Sequence, residues 1–586
     1  LTRLLLVNPR TPESFWSFRW ALEQARAGKR ALNPPLGLAT LAALCPPGWE
    51  ARIVDENVEP LPLRPQADVV GVCGMGVQAE RQKQLLRYYR GAGCFTVAGG
   101  SYASLCPEQY AGVADSVIAG ESEYVWPRFC ADFERGEAKP LYRETGEVDL
   151  ADSPVPRFDL LKLERYSTAT VQLSRGCPFR CEFCDIIVMF GRKPRYKSPG
   201  QVGRELDALR RLGARKVFFV DDNFIGNKAR AKDVLRFLAS YQDEQGRCMR
   251  FGTEASLNLA ADEELMRLMR AAGFEWVFLG LETPDAQTLR EAGKTQNCAQ
   301  DPLAAVRRIY AHGIDVLAGF IVGFDRDTPQ TWRVQERFIR EAGIMVAMVG
   351  LLTALPKTPL YARLAREGRI VEHAAPGDNT KLATNIVPKL MSAAQMANGY
   401  RALYASLLSD AAIAERIRAK LRRFGHPAAL RREPPREAAR IVWNLLRRGI
   451  ARGGLGRAWH FASSLPLARP RLVHLAVNDW IAALAMRDYA DRHLLDAAPK
   501  ESTREWVLRI SGGLDRAAVR RLAREAKTLL ADTQARLVLA VGELREAERA
   551  ELERLARALA RYGDRVAIVL GAGLAELLQL EAARAG

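Results

Sequence analysis

Histidine is scarce in this chain: there are six in 586 residues, and none precedes His312. The first half therefore offers no imidazole of its own to a metal or cofactor. Long apolar runs are also missing. The longest nearly uncharged one, GIMVAMVGLLTAL at 343–355, is shorter than the ~20 residues a membrane-spanning helix needs. The opening LTRLLLVNPRTP turns polar after one short apolar stretch, so no secretory signal is expected. Its Leu in place of Met points to an alternative start codon or a trimmed sequence. Ten cysteines are too few for a disulfide framework in so long a chain. Seven (Cys45, Cys73, Cys94, Cys106, Cys130, Cys248 and Cys298) lie singly, as in a reducing cytoplasm, the expected compartment. No repeat of 20–50 residues and no low-complexity tract interrupts the sequence.

The composition, 48% hydrophobic and 26% charged, is that of a globular chain, and its length calls for several domains. The net charge is +18, mostly from arginine. An Arg-rich composition accounts for it without a partner. Nucleic acid and an anionic membrane surface are the functional alternatives, and no recognition motif accompanies the charge to favour nucleic acid.

Short apolar runs ending in Gly, Asn or Asp alternate with helical stretches over 1–140: RLLLVNP, EARIVDEN, DVVGVCGMG, CFTVAGG and DSVIAGESE. The alternation predicts a doubly wound parallel sheet of Rossmann-like type, with ligands at the carboxyl ends of its strands. A Pro-punctuated connector (141–167) follows. A second series over 168–360 (TATVQLSRG, RKVFFVDDNF, MRFGTEASLN, EWVFLGLETP, DVLAGFIVGF, MVAMVGLLTALP) predicts a partial (β/α)6 barrel with function on the loops after its strands. Residues 361–500 read as basic helices, and 501–586 as a small α/β module. Trp443, Leu445, Leu446 and Ile450, set among arginines, fit either an anionic membrane surface that admits a lipid substrate or helices packed over the barrel mouth.

SRGCPFRCEFC, in the loop after the first barrel strand, sets Cys177, Cys181 and Cys184 in a Cys-x3-Cys-x2-Cys spacing. A structural zinc site wants a fourth Cys or His at finger-like distance, yet the next cysteine is Cys248 and the next histidine His312. Zinc with a distant fourth ligand and three incidental thiols stay open as alternatives. Three thiolates also hold a 4Fe–4S cluster if one iron takes an external ligand.

This motif resembles the signature of the radical S-adenosylmethionine (SAM) superfamily. The resemblance implies that SAM chelates the fourth iron and is reductively cleaved to a 5′-deoxyadenosyl radical, with electrons from a donor such as flavodoxin or ferredoxin. It assigns Phe183 to the adenine, and Asp221, Asp222 and Asn223 of VDDNF to the surroundings of the SAM amino group. VDDNF departs from the family's common Gly-Gly-Glu. Glu254 and Glu282 become acceptors for ribose hydroxyls, and Ile321 and Gly323 of GFIVGFD neighbours of the adenine.

The preceding domain resembles the cobalamin-binding subclass. On that resemblance Pro35, Gly37, Asp55, Met75, Gly76, Gly99, Gly100, Ser101, Gly120 and Glu121 line a cobalamin site. Where histidine-coordinating cobalamin domains carry Asp-x-His-x-x-Gly, this chain reads DENVEP, so no histidine of this domain is a lower axial ligand. A degenerate domain that binds nothing is the alternative.

Together the segments resemble the branch containing hopanoid methylases and the anaerobic magnesium-protoporphyrin ester cyclase. That implies cobalamin-dependent methyl transfer to an unactivated carbon of a lipid-like or other small molecule. Cyclisation or rearrangement without methyl transfer is a second reading. A third is a redox- or cobalamin-responsive regulator acting through a tail that resembles sulfate-transporter/anti-sigma-antagonist (STAS) modules.

Overall fold

The computed structural model describes all residues except 27, 372–381, 383, 429, 431–433, 496–504, 511–513, 531–535, 542–545, 561, 563–565 and 571–586. It divides into two compact units, each built from non-contiguous segments.

The first unit comprises 1–11, 37–145 and the tail from 496. Its main sheet contains β1 (Thr2–Asn8), β2 (Trp49–Asp55), β3 (Val69–Cys73), β4 (Phe95–Gly99), β5 (Ser116–Ala119) and β6 (Leu141–Arg143). All neighbours are parallel, in the order β2-β1-β3-β4-β5-β6. Strand order reverses between β1 and β3, the position where doubly wound sheets open a ligand crevice. The near-continuous apolar runs follow from burial of both sheet faces. Leu5, Val7, Val70, Val72, Ala98 and Val117 form one core with Leu85, Leu86 and Tyr89 of the helix Ala79–Gly91. The short edge strand β6 falls in the stretch expected to be a connector. With one buried residue, Tyr142, between two exposed ones, it carries little apolar signal.

The second unit comprises 12–36 and 146–495. Pro12–Leu36 belongs here, within the stretch expected to be one N-terminal domain. Phe15 stacks on Tyr404 at 4.4 Å and meets Tyr489 at 4.5 Å. The barrel begins with β7 (Ala169–Val171); β8 (Ser174–Arg175) and β9 (Arg195–Tyr196) then pair antiparallel across the cysteine loop. Five more strands, β10 (Lys216–Phe219), β11 (Arg250–Ala255), β12 (Phe274–Glu282), β13 (Asp315–Val322) and β14 (Ala347–Leu351), complete a parallel sheet in sequential order. Local signals set the connecting helices. Ser198 forms a capping box with Gln201 ahead of Pro199–Arg211, and Asp262 caps Glu263–Ala272, which stops at Gly273 with φ 97°.

The helix Asp410–Arg423 joins this barrel through buried charge. Lys420 Nζ lies 2.8 Å from Asp315 Oδ2 and 2.7 Å from Asp479 Oδ1. The fully buried Arg416 donates to the carbonyls of Ile344, Met345 and Leu407.

In the first unit, the tail forms a three-stranded parallel sheet of β15 (Glu505–Ile510), β16 (Arg536–Val541) and β17 (Val566–Leu570) with two helices. Leu63 lies in its apolar core with Leu514, Leu537, Leu539 and Leu552, and the Arg64 amide donates to Glu553 at 3.0 Å.

Candidate active site

The cysteine loop leaves the first barrel strand through Gly176. Its φ of 92° and three carbonyls 3.1–3.3 Å from any added Cβ leave room for glycine alone. The loop is pinned from several elements. Asp222 accepts the Gly176 N–H at 3.1 Å. Arg363 grips Glu182 with two N–H donors at 2.8 and 3.1 Å. Glu182 N–H donates to Ala292 O at 3.0 Å, and at Gly293 an added Cβ would lie 2.4 Å from Arg180 O.

All three thiols are free of disulfides. Burial pushes Cys177 up against the opposing pull of the Phe179 N–H, and pushes Cys184 up to about 12. Each of these two also lies within electrostatic range of Cys181. Gln296 Nε2 donates to Cys181 Sγ at 3.6 Å, while its Oε1 and Asn297 Oδ1 are buried without a hydrogen-bond partner among the described residues. Soft thiolate donors beside unsatisfied polar atoms fit an iron–sulfur cluster with a polar ligand better than a closed apolar core. Among the described residues no three His, Cys, Asp or Glu side chains converge on a single-ion site.

The residues assigned to SAM gather around this loop. Phe183 lies 5.9 Å, edge-on, from Phe324, and with Ile321 it packs against Leu352, Ala354 and Leu360. Gly323, at φ 125°, donates its N–H to Asp327 Oδ2 at 2.8 Å. Asn223 donates to Ser256 Oγ at 3.1 Å. Asp221 is buried, accepts from Ser174 Oγ at 2.6 Å and from the amides of Leu173 and Ser174, and binds the β7 end to the β10 end. It shapes the strand ends rather than presenting a free carboxylate. Burial raises Asp221 to about 7, Asp222 to about 6 and Glu254 to about 7, and the three repel one another when ionised. Glu282 is also buried.

Its partner, Lys294, is one of three contributors that sequence reasoning missed. Lys294 pairs with Glu282 and stands 5.7 Å from the Phe183 ring centre. An added Cβ at Gly280 would lie 2.6 Å from both Lys294 Nζ and Glu282 Oε1, so that glycine makes room for the pair. Gln335 Nε2 bridges the carbonyls of Glu282 (3.0 Å) and Ile321 (3.2 Å), and Arg363 clamps the loop. Lys294 follows a short helix in EAGKTQ, where a solvated lysine is the ordinary reading, so no local signal betrayed it.

In the first unit, eight of the ten residues assigned to cobalamin end or closely follow strands of one sheet; Gly37 lies at the start of the helix Leu36–Ala43, and Pro35 falls in the second unit. Asp55 ends β2 buried, accepting from Asn8 at 3.0 Å and from Asn57. Met75 is exposed and Gly76 opens a short 3-10 turn. Gly100 has φ 98° and ψ −179°, and an added Cβ would lie 2.4 Å from Gly74 O. Ser101 opens the helix Ser101–Leu105, and Ser104 Oγ links Gly100 O to Gly120 N–H. Glu121 is buried ahead of the helix Ser122–Glu134. At Gly37 and Gly99 an added Cβ meets nothing within 4 Å. An edge of bare backbone at a strand-order reversal fits a bulky cofactor that approaches the main chain closely.

Residues 171–338 match the radical SAM superfamily, and 358–496 match a domain of unknown function, DUF4070. The uncharacterised methyltransferase sll1242 of Synechocystis is 42% identical over 66% of this chain and 72% of its own. The hopanoid C-2 methylase of Rhodopseudomonas palustris is 37% identical over 63% and 71%. The cobalamin-dependent SAM radical enzyme OxsB, solved with aqua-cobalamin and SAM bound, shares the fold at a TM-score of 0.54 and 16% identity over 85% of this chain and 83% of its own. The cofactors of the matched superfamily, a 4Fe–4S cluster and SAM, are those the cysteine loop suits. The chain belongs to the radical SAM superfamily, as an enzyme of the family that includes the hopanoid C-2 methylase and the Synechocystis methyltransferase.

Proposed function

We propose that the protein is a cobalamin-dependent radical SAM methylase acting on an unactivated carbon of a polycyclic, lipid-like substrate. The observation that carries the reading is the meeting of the Cys177–Cys184 loop, Phe183, Ile321 and the Glu282–Lys294 pair at the carboxyl ends of one parallel sheet. Identity with the hopanoid C-2 methylase supports methylation and the substrate class; the fold shared with OxsB supports cobalamin.

When bound, the cluster and cobalamin supply the electron that cleaves SAM and the carrier that delivers the methyl group. This chain's part is positioning. Cys177, Cys181 and Cys184 supply three thiolates and leave the fourth position to SAM. Phe183 and Ile321 offer an apolar wall to the adenine, and Glu254 and Glu282 accept from ribose hydroxyls. Asp222 and Asn223 would hold the amino end of SAM, while Asp221 binds the strand ends together. Gly99 would let a corrin or its nucleotide tail reach backbone, with Gly37, Asp55, Met75, Gly76, Gly100, Ser101, Gly120 and Glu121 of the same unit around it.

Anaerobic reconstitution tests the reading. One 4Fe–4S cluster and one cobalamin should bind per chain, SAM should yield 5′-deoxyadenosine, and label from methyl-labelled SAM should enter a polycyclic lipid. Retention of SAM cleavage by Cys181→Ala would refute it; unlabelled, cyclised product would replace methylation with rearrangement.

A further inference from the structure

We infer that residues 435–472 form a surface that lies in the plane of an anionic lipid bilayer. The helix Pro435–Asn444 turns Ile441 and Asn444 inward and leaves Arg436, Arg440 and Trp443 outward, with Leu446 and Arg447 continuing that side. The next helix, Gly454–Ser464, buries Phe461 and Ser464 against Trp480, whose Nε1 donates to Ser464 Oγ at 2.9 Å. Its opposite side exposes Leu455 (91%) and Trp459 (71%), and Leu467 just beyond is 75% exposed. Of the four residues for which the sequence leaves a membrane face and packed helices both open, Leu445 and Ile450 are buried core, whereas Trp443 and Leu446 are exposed.

Isolated exposed apolar residues are ordinary; five such side chains within 25 residues, two of them tryptophans, are not. Tryptophan favours the headgroup level of a bilayer. The charge names the partner. Residues 435–472 hold eight arginines and one acid, Glu437. Arg436, Arg440, Arg447 and Arg452 are exposed and have no carboxylate partner among the described residues. A basic face with outward Trp and Leu suits anionic lipid. A second copy of this chain would bring the same arginines face to face. Among the described residues no helix is long and apolar enough to cross a membrane, so the contact lies in plane. Only the further idea that a lipid substrate enters from this bilayer rests on the proposed methylation.

The test uses the full chain and vesicles of 30% phosphatidylglycerol in phosphatidylcholine. The protein should float with these vesicles at least tenfold better than with phosphatidylcholine alone. A Trp443→Glu/Trp459→Glu variant, and a variant with Arg436, Arg440, Arg447 and Arg452 changed to Gln, should each lose at least tenfold in binding. Both should keep the SAM cleavage of the reconstituted wild-type protein, which shows that they fold. Failure of the wild type to bind, or undiminished binding by either variant, would overturn the inference. So would sedimentation velocity showing a dimer that the tryptophan variant dissolves. Vesicle binding without SAM cleavage would sink the methylase reading and leave the surface standing.

Discussion

Lys294 and Glu282 form a buried ion pair whose carboxylate rides on backbone at φ 62°, a left-handed conformation usually left to glycine. The strain sits at the end of the fourth strand of the barrel sheet, between the cysteine loop and the Ile321 segment. Conformations of this kind persist only where surrounding contacts hold them; here Gln335 and Lys294 do so.

Removing one partner leaves a buried charge uncompensated. Lys294→Met and Glu282→Gln should each cost about 3–5 kcal/mol. The double change Lys294→Met/Glu282→Leu should cost clearly less than the sum. Urea titration of the cluster-free protein, read by hydrogen exchange over 274–297, measures the difference. Additive losses would show that the two side chains do not act as a pair.

Glu254 gives the apo-protein a pH signature. Burial, reinforced by Asp222 and Asp221, raises its pKa from an ordinary 4.5 to about 7. Between those values the folded state holds a proton that the unfolded state has released, so stability falls as pH rises through that window. The Glu254→Gln variant should show a shallower fall from pH 4.5 to 7, with Asp221 and Asp222 supplying the remainder. Thermal unfolding of wild type and variant across that range checks the sign.

Two adjacent glycines separate folding from binding. Gly100 occupies a region open to glycine alone, so Gly100→Ala should cost about 1–3 kcal/mol in strain, with the contact at Gly74 O added to it. At Gly99 a methyl group meets open space. Gly99→Ala should therefore unfold like wild type while weakening cobalamin binding, read from the cofactor's visible spectrum.

Lys420 is shared by Asp315 and Asp479, and Asp479 Oδ2 has no hydrogen-bond partner among the described residues. Lys420→Met leaves two carboxylates buried together and should cost about 3–5 kcal/mol. Asp479→Asn keeps the Asp315 pair and should cost less. Hydrogen exchange in the helix Asp410–Arg423 should rank the variants in that order.

Most strands are readable because they are short apolar runs closed by Gly, Asn or Asp; LLLV, VVGV and AGFIV all lie in strands as expected, whereas β6, β8 and β9 carry little apolar signal. The three cysteines stand out by spacing, Phe183 by its place just before the third of them, and Ile321 by the resemblance of GFIVGFD to a family segment. Contributions made across the fold were hidden. Lys294, Gln335 and Arg363 act on residues 12 to 181 positions away, and their own surroundings read as ordinary helix ends and faces. For Leu445 and Ile450 the sequence leaves a membrane face and packed helices both open, and the structure buries them: an Arg-rich helix shows its amphipathicity in sequence but not which apolar residues a neighbour covers.

Leu63 shares one apolar core with Leu514, Leu537 and Leu552, although the intervening chain builds most of the other unit. At ~5–20 residues per second of synthesis, the wait between making the first of these leucines and the second is roughly 20–90 s. Over that interval the nascent sheet carries an uncovered leucine beside Tyr88 on the ribosome. The main sheet of this unit therefore completes its packing only after the segment that covers Leu63 has been made.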